Sequence, residues 1–288
     1  MILSSILLLL LSAVLHAITN ALMKQSQDKM AFVWWMLGVF CALGLPALFL
    51  IPEVEPVGWI IVLISGLLEA IYFFTLTRAY RAGDLSVVYP IARGSAPLFL
   101  LCWAVLFLGE RPTRIGLLGI LTVVGGLYLI NLPSLNDWGR PLYGFRSVAS
   151  RWALLTGLLI SWYSALDKLG VRYFSPLVYV YLLSLVCWIC LSFQWLIARR
   201  RAALVAEIGA SKRIASIIAA GILGNVAYLM VLAALRITPV SYVAPVREVS
   251  VVMGAWIGTR FMGEQAGSLR IIASALIALG ISLIAIGG

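Results

Sequence analysis

The amino-acid sequence predicts an all-α integral membrane protein, with ten transmembrane helices arranged as two inverted five-helix repeats. Three observations predict it. The first is composition: of 288 residues, 63% are hydrophobic and 11% charged. A soluble domain is about 45–50% apolar and about 25% charged. The second is length, because at ~20 residues per span the chain holds about ten spans with short loops. The third is that the second half repeats the apolar runs of the first and places proline and charge at the same depth in them.

The elements follow in order. Helix 1 is expected over 2–23; it is apolar from Ile2 and has neither a basic leader nor a small-residue cleavage site, so it reads as a retained helix and not a signal peptide. Helix 2 (32–51) contains Pro46, and helix 4 (85–108) contains Pro97. A proline inside a helix removes a backbone hydrogen bond and favours a kink. Helix 3 is expected over 57–80 and helix 5 over 115–130. A polar connection rich in Pro, Gly, Asn and Arg then divides a first unit, 1–131, from a second, 151–288, across 132–150. The second unit holds helices 6 (152–169), 7 (176–197), 8 (214–235), 9 (240–262) and 10 (269–286), with a basic loop after helix 7. Gly254 and Gly258 give helix 9 a small-xxx-small pair, read as packing, with weak homodimerisation as the lesser use.

The repeat is explicit. At an offset of 155, Gly66 meets Gly221, Arg81 meets Arg236, Ser86 meets Ser241 and Pro90 meets Pro245. At 154, Gly109-Glu110 meets Gly263-Glu264, and at 144, Lys24 meets Lys168. An odd number of helices per unit turns the second unit upside down. Inverted repeats with a site at their interface are the build of many secondary transporters.

Two five-helix units, each with Gly-Glu after its fourth helix, a Gly-rich fifth helix and a lysine closing its first, resemble the EamA-type drug/metabolite transporter superfamily over nearly the whole chain. The resemblance implies a carrier fold. It leaves cargo open, because members of that superfamily carry amino acids, organic ions, sugars and sugar phosphates. It also implies cytoplasmic termini, and here the sequence departs from it. Loops after helices 1, 3, 5, 7 and 9 hold 14 Lys and Arg, Arg199, Arg200 and Arg201 among them. Loops after helices 2, 4, 6 and 8 hold 5: Arg111, Arg114, Lys168, Arg172 and Arg236. The positive-inside rule therefore places both termini outside the cell's inner (plasma) membrane.

The net charge of +10 would suggest nucleic acid in a soluble protein, but most of the 21 Lys and Arg lie at span ends, where orientation against lipid explains them. No nucleic-acid partner is expected. Cys187 and Cys190 form a C-x-x-C, but with no βαβ context and no further ligands they read as packing residues; no metal and no cofactor are expected. There is no P-loop and no Ser-His-acid set, so the chain is not read as an enzyme, and a gradient or exchange would drive active transport.

The candidate site residues are polar groups inside apolar runs. Arg93, in Tyr89-Pro90-Ile91-Ala92-Arg93-Gly94, lies on the order of 12 Å along helix 4. An arginine at mid-membrane costs about 2.5–3.5 kcal/mol on insertion scales. Arg247 and Glu248 lie at the matching depth of helix 9, and the repeat sets Glu248 opposite Arg93. Either the arginines hold the anionic part of a substrate, for which a guanidinium is matched, or Glu248 pairs with one of them to fix packing. Glu69, with Tyr72 on its face of helix 3, either takes a coupling proton, since burial favours the neutral carboxyl, or neutralises Arg93. His16, the single histidine, shares one face of helix 1 with Asn20 and Lys24. It is a candidate relay or substrate ligand, or bonds its own neighbourhood. Asn225 adjoins Gly224, the counterpart of Glu69. Tyr89 flanks the arginine motif, and Trp162 in helix 6 is a candidate cavity wall. Lys168 reads as snorkelling, an end salt bridge or a gate.

The expected function is secondary active transport, by alternating access, of a small anionic or zwitterionic metabolite: an amino acid, an organic acid, or a phosphate or phosphonate compound. The drive would be proton coupling or exchange, and the partners are a small-molecule substrate and the lipid bilayer. One alternative is an exporter of cationic or aromatic compounds; another is a membrane sensor or assembly partner that transports nothing.

Overall fold

The computed structural model describes residues 3–24, 26, 28–82, 85–130, 132, 147–198, 211–253, 256 and 268–287. The described chain is all helical, with no strand among the described residues. Its α-helices are α1 (Leu3–Lys24), α2 (Lys29–Leu43), α3 (Pro56–Ala82), α4 (Leu85–Leu106), α5 (Arg114–Leu129), α6 (Val148–Gly170), α7 (Pro176–Ala198), α8 (Ser211–Ile237), α9 (Val240–Arg247) and α10 (Ser268–Gly287). Five of these, α1, α3, α7, α8 and α10, are by themselves long and apolar enough to cross a bilayer, and shorter apolar helices accompany them.

Two helices differ from expectation, each for a local reason. Helix 2 does not kink at Pro46; it ends at Leu43, and the chain continues as a 3-10 helix, Leu45–Leu50, with Pro46 in its first turn. A proline fits there because first-turn N–H groups have no intrahelical acceptor. Fifteen α residues and six 3-10 residues together rise about 34 Å, enough for a ~30 Å hydrocarbon core that α2 alone would not span. Helix 9 is not continuous. Pro245 sits inside α9, which ends at Arg247. Glu248 then forms a turn whose N–H bonds back to the Pro245 carbonyl at 3.1 Å, before helix resumes over 249–253. A prolyl nitrogen cannot donate to the carbonyl four residues back and crowds it. The interruption falls at the charged pair Arg247-Glu248. By contrast α4 passes through Pro90 and Pro97 unbroken. Gly254, Gly258, Gly263, Glu264, the basic loop after α7 and most of the 132–150 connection lie outside the described residues.

Packing pairs each helix with one from the other half. α1 packs on α8 and α6 on α3; α2 packs on α8 and α7 on α3. α4 packs on α6 and, less extensively, α9 on α1, and three further pairs are self-matched: α5 on α10, α2 on α7 and α4 on α9. Exchanging each helix for the one five places on leaves this pattern unchanged. The glycines repeat it at atomic scale. Gly66 of α3 abuts Val186 of α7, and its sequence counterpart Gly221 of α8 abuts the Met36 carbonyl of α2. Where α5 crosses α10, a Cβ on Gly119 would lie 2.7 Å from the Gly280 carbonyl oxygen, and one on Gly280 2.7 Å from that of Gly119. Only bare backbone permits that approach, and in lipid such close packing drives association.

Candidate functional site

The site is best built from the helix ends inward. Gly109 ends α4 in the left-handed region (φ +67°), which costs a glycine nothing. That turn aims Glu110 at the start of α9. Its carboxylate accepts the N–H groups of Val240 at 2.7 Å and Ser241 at 3.0 Å, two first-turn donors with no acceptor in their own helix. The end of α8 is held by the opposite charge. Lys168 Nζ donates to the carbonyls of Leu235 at 2.5 Å and Thr238 at 2.9 Å, where the negative end of the helix dipole favours a cation. Ser5 and Thr238 share a hydroxyl hydrogen bond of 2.6 Å beside them. The α8–α9 turn is thus clamped from α1, α6 and the α4–α5 loop. Lys168 was read as snorkelling, an end salt bridge or a gate; its observed contacts are those of a helix-end cap, made to carbonyls.

Deeper in the bundle, charges meet other side chains. Arg93 of α4 reaches Glu248 beyond α9, Nε to Oε2 3.0 Å, with Glu248 almost fully buried. The pair joins the two equivalent helices at positions that the 155-residue offset aligns. Arg247, 7% exposed, lines a small cleft with Ser164, Tyr228, Val231, Leu235, Val240, Val243 and Ala244. The cleft's volume is about 10 Å³, roughly one water. Ser164 is buried there with its hydroxyl unbonded among the described residues. His16 of α1 lies within electrostatic range of both Arg247 and Arg93. Glu69 of α3 lies within range of Arg247 and of Asp167.

Asp167 of α6 is the residue that sequence reasoning missed. It is fully buried and accepts three hydroxyl hydrogen bonds: Ser65 of α3 at 2.6 Å, Tyr179 of α7 at 2.9 Å, and Tyr228 of α8. Three hydroxyl donors on one carboxyl favour its ionised form. A signal existed: aspartate stands one residue before the lysine that closes helix 6, three places after Ser164 and four after Tyr163, which puts it on their face. Its partners come from three other helices, and no local pattern announces them.

The remaining candidates divide. Tyr72 stacks on Tyr163 (ring centres 6.0 Å) and on Phe73 (4.9 Å) beside the cluster. Asn225 lies near the cluster, but its amide is engaged between helices: Oδ1 accepts from Ser184 at 2.7 Å and Nδ2 donates to the Gly221 carbonyl at 2.8 Å. Asn20 is exposed. Trp162 is 47% exposed where its neighbour Tyr163 is 7%, and stacks edge-on on Trp103 of α4. The side chains of Tyr89 and Lys24 lie outside the described residues.

The sequence profile of the EamA-like transporter family matches residues 3–132 and 149–286, both halves and nearly the whole chain. The chain belongs to the EamA-like transporter family. This EamA protein is accordingly a multi-pass membrane protein of a transporter family. Among solved structures it is similar to a protein described by its title only as a crystal structure, with 16% sequence identity. The match covers 98% of this chain and 96% of that one at a TM-score of 0.72, a likeness of fold alone. No curated protein matches the sequence.

Proposed function

We propose that this EamA protein is a secondary carrier of a small anionic or zwitterionic metabolite, an amino acid, organic acid, or phosphate or phosphonate compound. It would work by alternating access in the inner membrane, with its termini outside. In this reading the chain crosses the membrane ten times as two inverted units, 1–131 and 151–288, joined by 132–150. The exchange symmetry of the helix packing supports that architecture. The observation that carries the cargo assignment is Arg247: a buried guanidinium opening on a cleft beside the unbonded Ser164 hydroxyl. A guanidinium matches carboxylate and phosphate oxygens with two parallel donors. Arg93 is the second cation of the site, and Glu248 holds its position. The cleft as described admits little more than water, so cargo would enter when the halves rock apart.

One observation favours a second reading, export of cations or aromatic compounds. The cluster holds three carboxylates, Glu69, Asp167 and Glu248, against two arginines, an excess suited to a cation.

A thermal-shift screen of the detergent-purified protein against anionic, zwitterionic and cationic metabolites separates the two. A ligand at 100 times its Kd stabilises by about 2.7 kcal/mol. Shifts from anions or zwitterions that vanish in Arg93→Ala and Arg247→Ala are expected. Shifts only from cations, surviving in both variants, would move the site to the carboxylates.

A further inference from the structure

The central cluster has an odd charge count. Among the described residues it holds two permanent cations, Arg93 and Arg247, and three carboxyls, Glu69, Asp167 and Glu248. His16, facing both arginines, adds no charge in its neutral form. Two of the carboxyls are accounted for as anions. Glu248 is in ion contact with Arg93, and Asp167 receives three hydroxyl donors. That leaves Glu69. The titratable groups within electrostatic range of it, among the described residues, are Asp167 and Tyr163 of α6, Arg247 of α9, Tyr228 of α8, and Tyr179 and Cys187 of α7. Only Arg247 is a cation, and Asp167 already opposes it. With Glu69 ionised the cluster is left at −1 inside an apolar bundle, a state whose desolvation no partner among the described residues offsets. With one proton it is neutral. Glu69 is less deeply buried than Asp167.

We propose that Glu69 and Asp167 form a proton-binding site holding one exchangeable proton, carried by Glu69 while Asp167 stays ionised as the fixed charge beside it. This deepens the carrier reading above and rests on it for its use. An anion at Arg247 adds one more negative charge to the cluster and so strengthens retention of the proton. By reciprocity the proton strengthens binding of the anion. The two then cross in the same direction, with the proton leaving Glu69 for water as the anion leaves Arg247.

Infrared difference spectroscopy of the detergent-purified full chain during a pH titration tests this without any ligand, because a protonated carboxyl has its own C=O stretch. Wild type is expected to show one such band at neutral pH that is lost reversibly on adding base. Glu69→Gln is expected to lose it. Asp167→Asn brings the count to two cations and two anions, so Glu69 can ionise there and the band is again expected to be lost. Three results would overturn the proposal: no such band in wild type, a band that survives in Glu69→Gln, or a wild-type band discharged by Na⁺ at constant pH. The wild-type titration and its Na⁺ arm need no variant, so they decide even if Asp167→Asn does not fold. Since no flux is measured, a failed proton site leaves the carrier reading to stand or fall by the metabolite screen.

Discussion

At the α8–α9 turn and in the middle of the bundle, the same residue types are used in opposite ways. Glu110 and Lys168 spend their charges on peptide groups, the free N–H donors that open α9 and the free carbonyls that close α8. Those partners cannot move without unwinding a helix. Arg93, Glu248, Arg247, Glu69 and Asp167 are met instead by one another and by hydroxyls. A side chain that another side chain satisfies can change partner; a helix cap cannot. Under the proposed function, the difference separates charges that hold the fold from charges that a cargo would address.

The largest effect expected from this comparison is on Arg247. Arg247→Ala removes the cation that lines the cleft. Losing a buried charged contact costs about 2–5 kcal/mol of binding, on the order of 30-fold or more in affinity. Flux of whichever metabolite stabilises the wild type should therefore fall to background in liposomes, with the variant still inserted. Undiminished flux would break the comparison at its centre. Next in size is Glu248→Gln, which removes the carboxylate in ion contact with Arg93. Removing one partner of a buried pair costs about 3–5 kcal/mol, whereas replacing both by apolar groups is often neutral. The unfolding midpoint in denaturing detergent should fall in the single variant and recover in Arg93→Met/Glu248→Met. Recovery of stability without recovery of flux would mark the pair as both brace and site.

How much of this was legible in sequence follows the same division. The helices were readable because lipid enforces long apolar runs, and the repeat was readable because offsets near 155 align Pro90 with Pro245 and Arg93 with Glu248. That alignment even named an ion pair, since α4 packs on α9 and the aligned positions Arg93 and Glu248 meet there. Three things were not legible. Pro46 and Pro97 were both read as kinks, but α2 ends before Pro46 and a 3-10 helix takes it in its first turn, while α4 runs through Pro97 unbroken; the break at Glu248 was not read at all. Asn225 offered amide groups whose partners, Ser184 and Gly221, only the fold reveals. Asp167 was hidden behind Lys168: a charged pair at a helix end reads as one salt-bridging unit, yet successive residues on a helix point about 100° apart, and here one caps α8 while the other enters the bundle.

Smaller effects test the other side of the comparison. Glu110→Ala removes two charge-assisted bonds to the first turn of α9, and capping losses of this kind cost about 1–2 kcal/mol. Because Glu110 meets no cargo in this reading, the midpoint should drop while the Kd of the screened ligand stays at its wild-type value. A changed Kd with an unchanged midpoint would place Glu110 among the addressable charges.

The smallest effect, and the sharpest, is expected at Lys168. Lys168→Met keeps the apolar stem against α8 and deletes only the ammonium that caps Leu235 and Thr238. A cation at a helix C-terminus contributes about 0.3–1 kcal/mol, and Glu110 and the Ser5–Thr238 bond still hold the turn. The midpoint should therefore move only slightly, and flux should persist. Suppose instead that flux collapses while the midpoint is unchanged. The ammonium would then be doing something that a static cap does not, releasing and re-forming its carbonyl bonds as the α8–α9 turn moves. In that event the boundary between fold-holding and exchangeable charge runs through the clamp itself, and Lys168 joins the moving parts of the carrier.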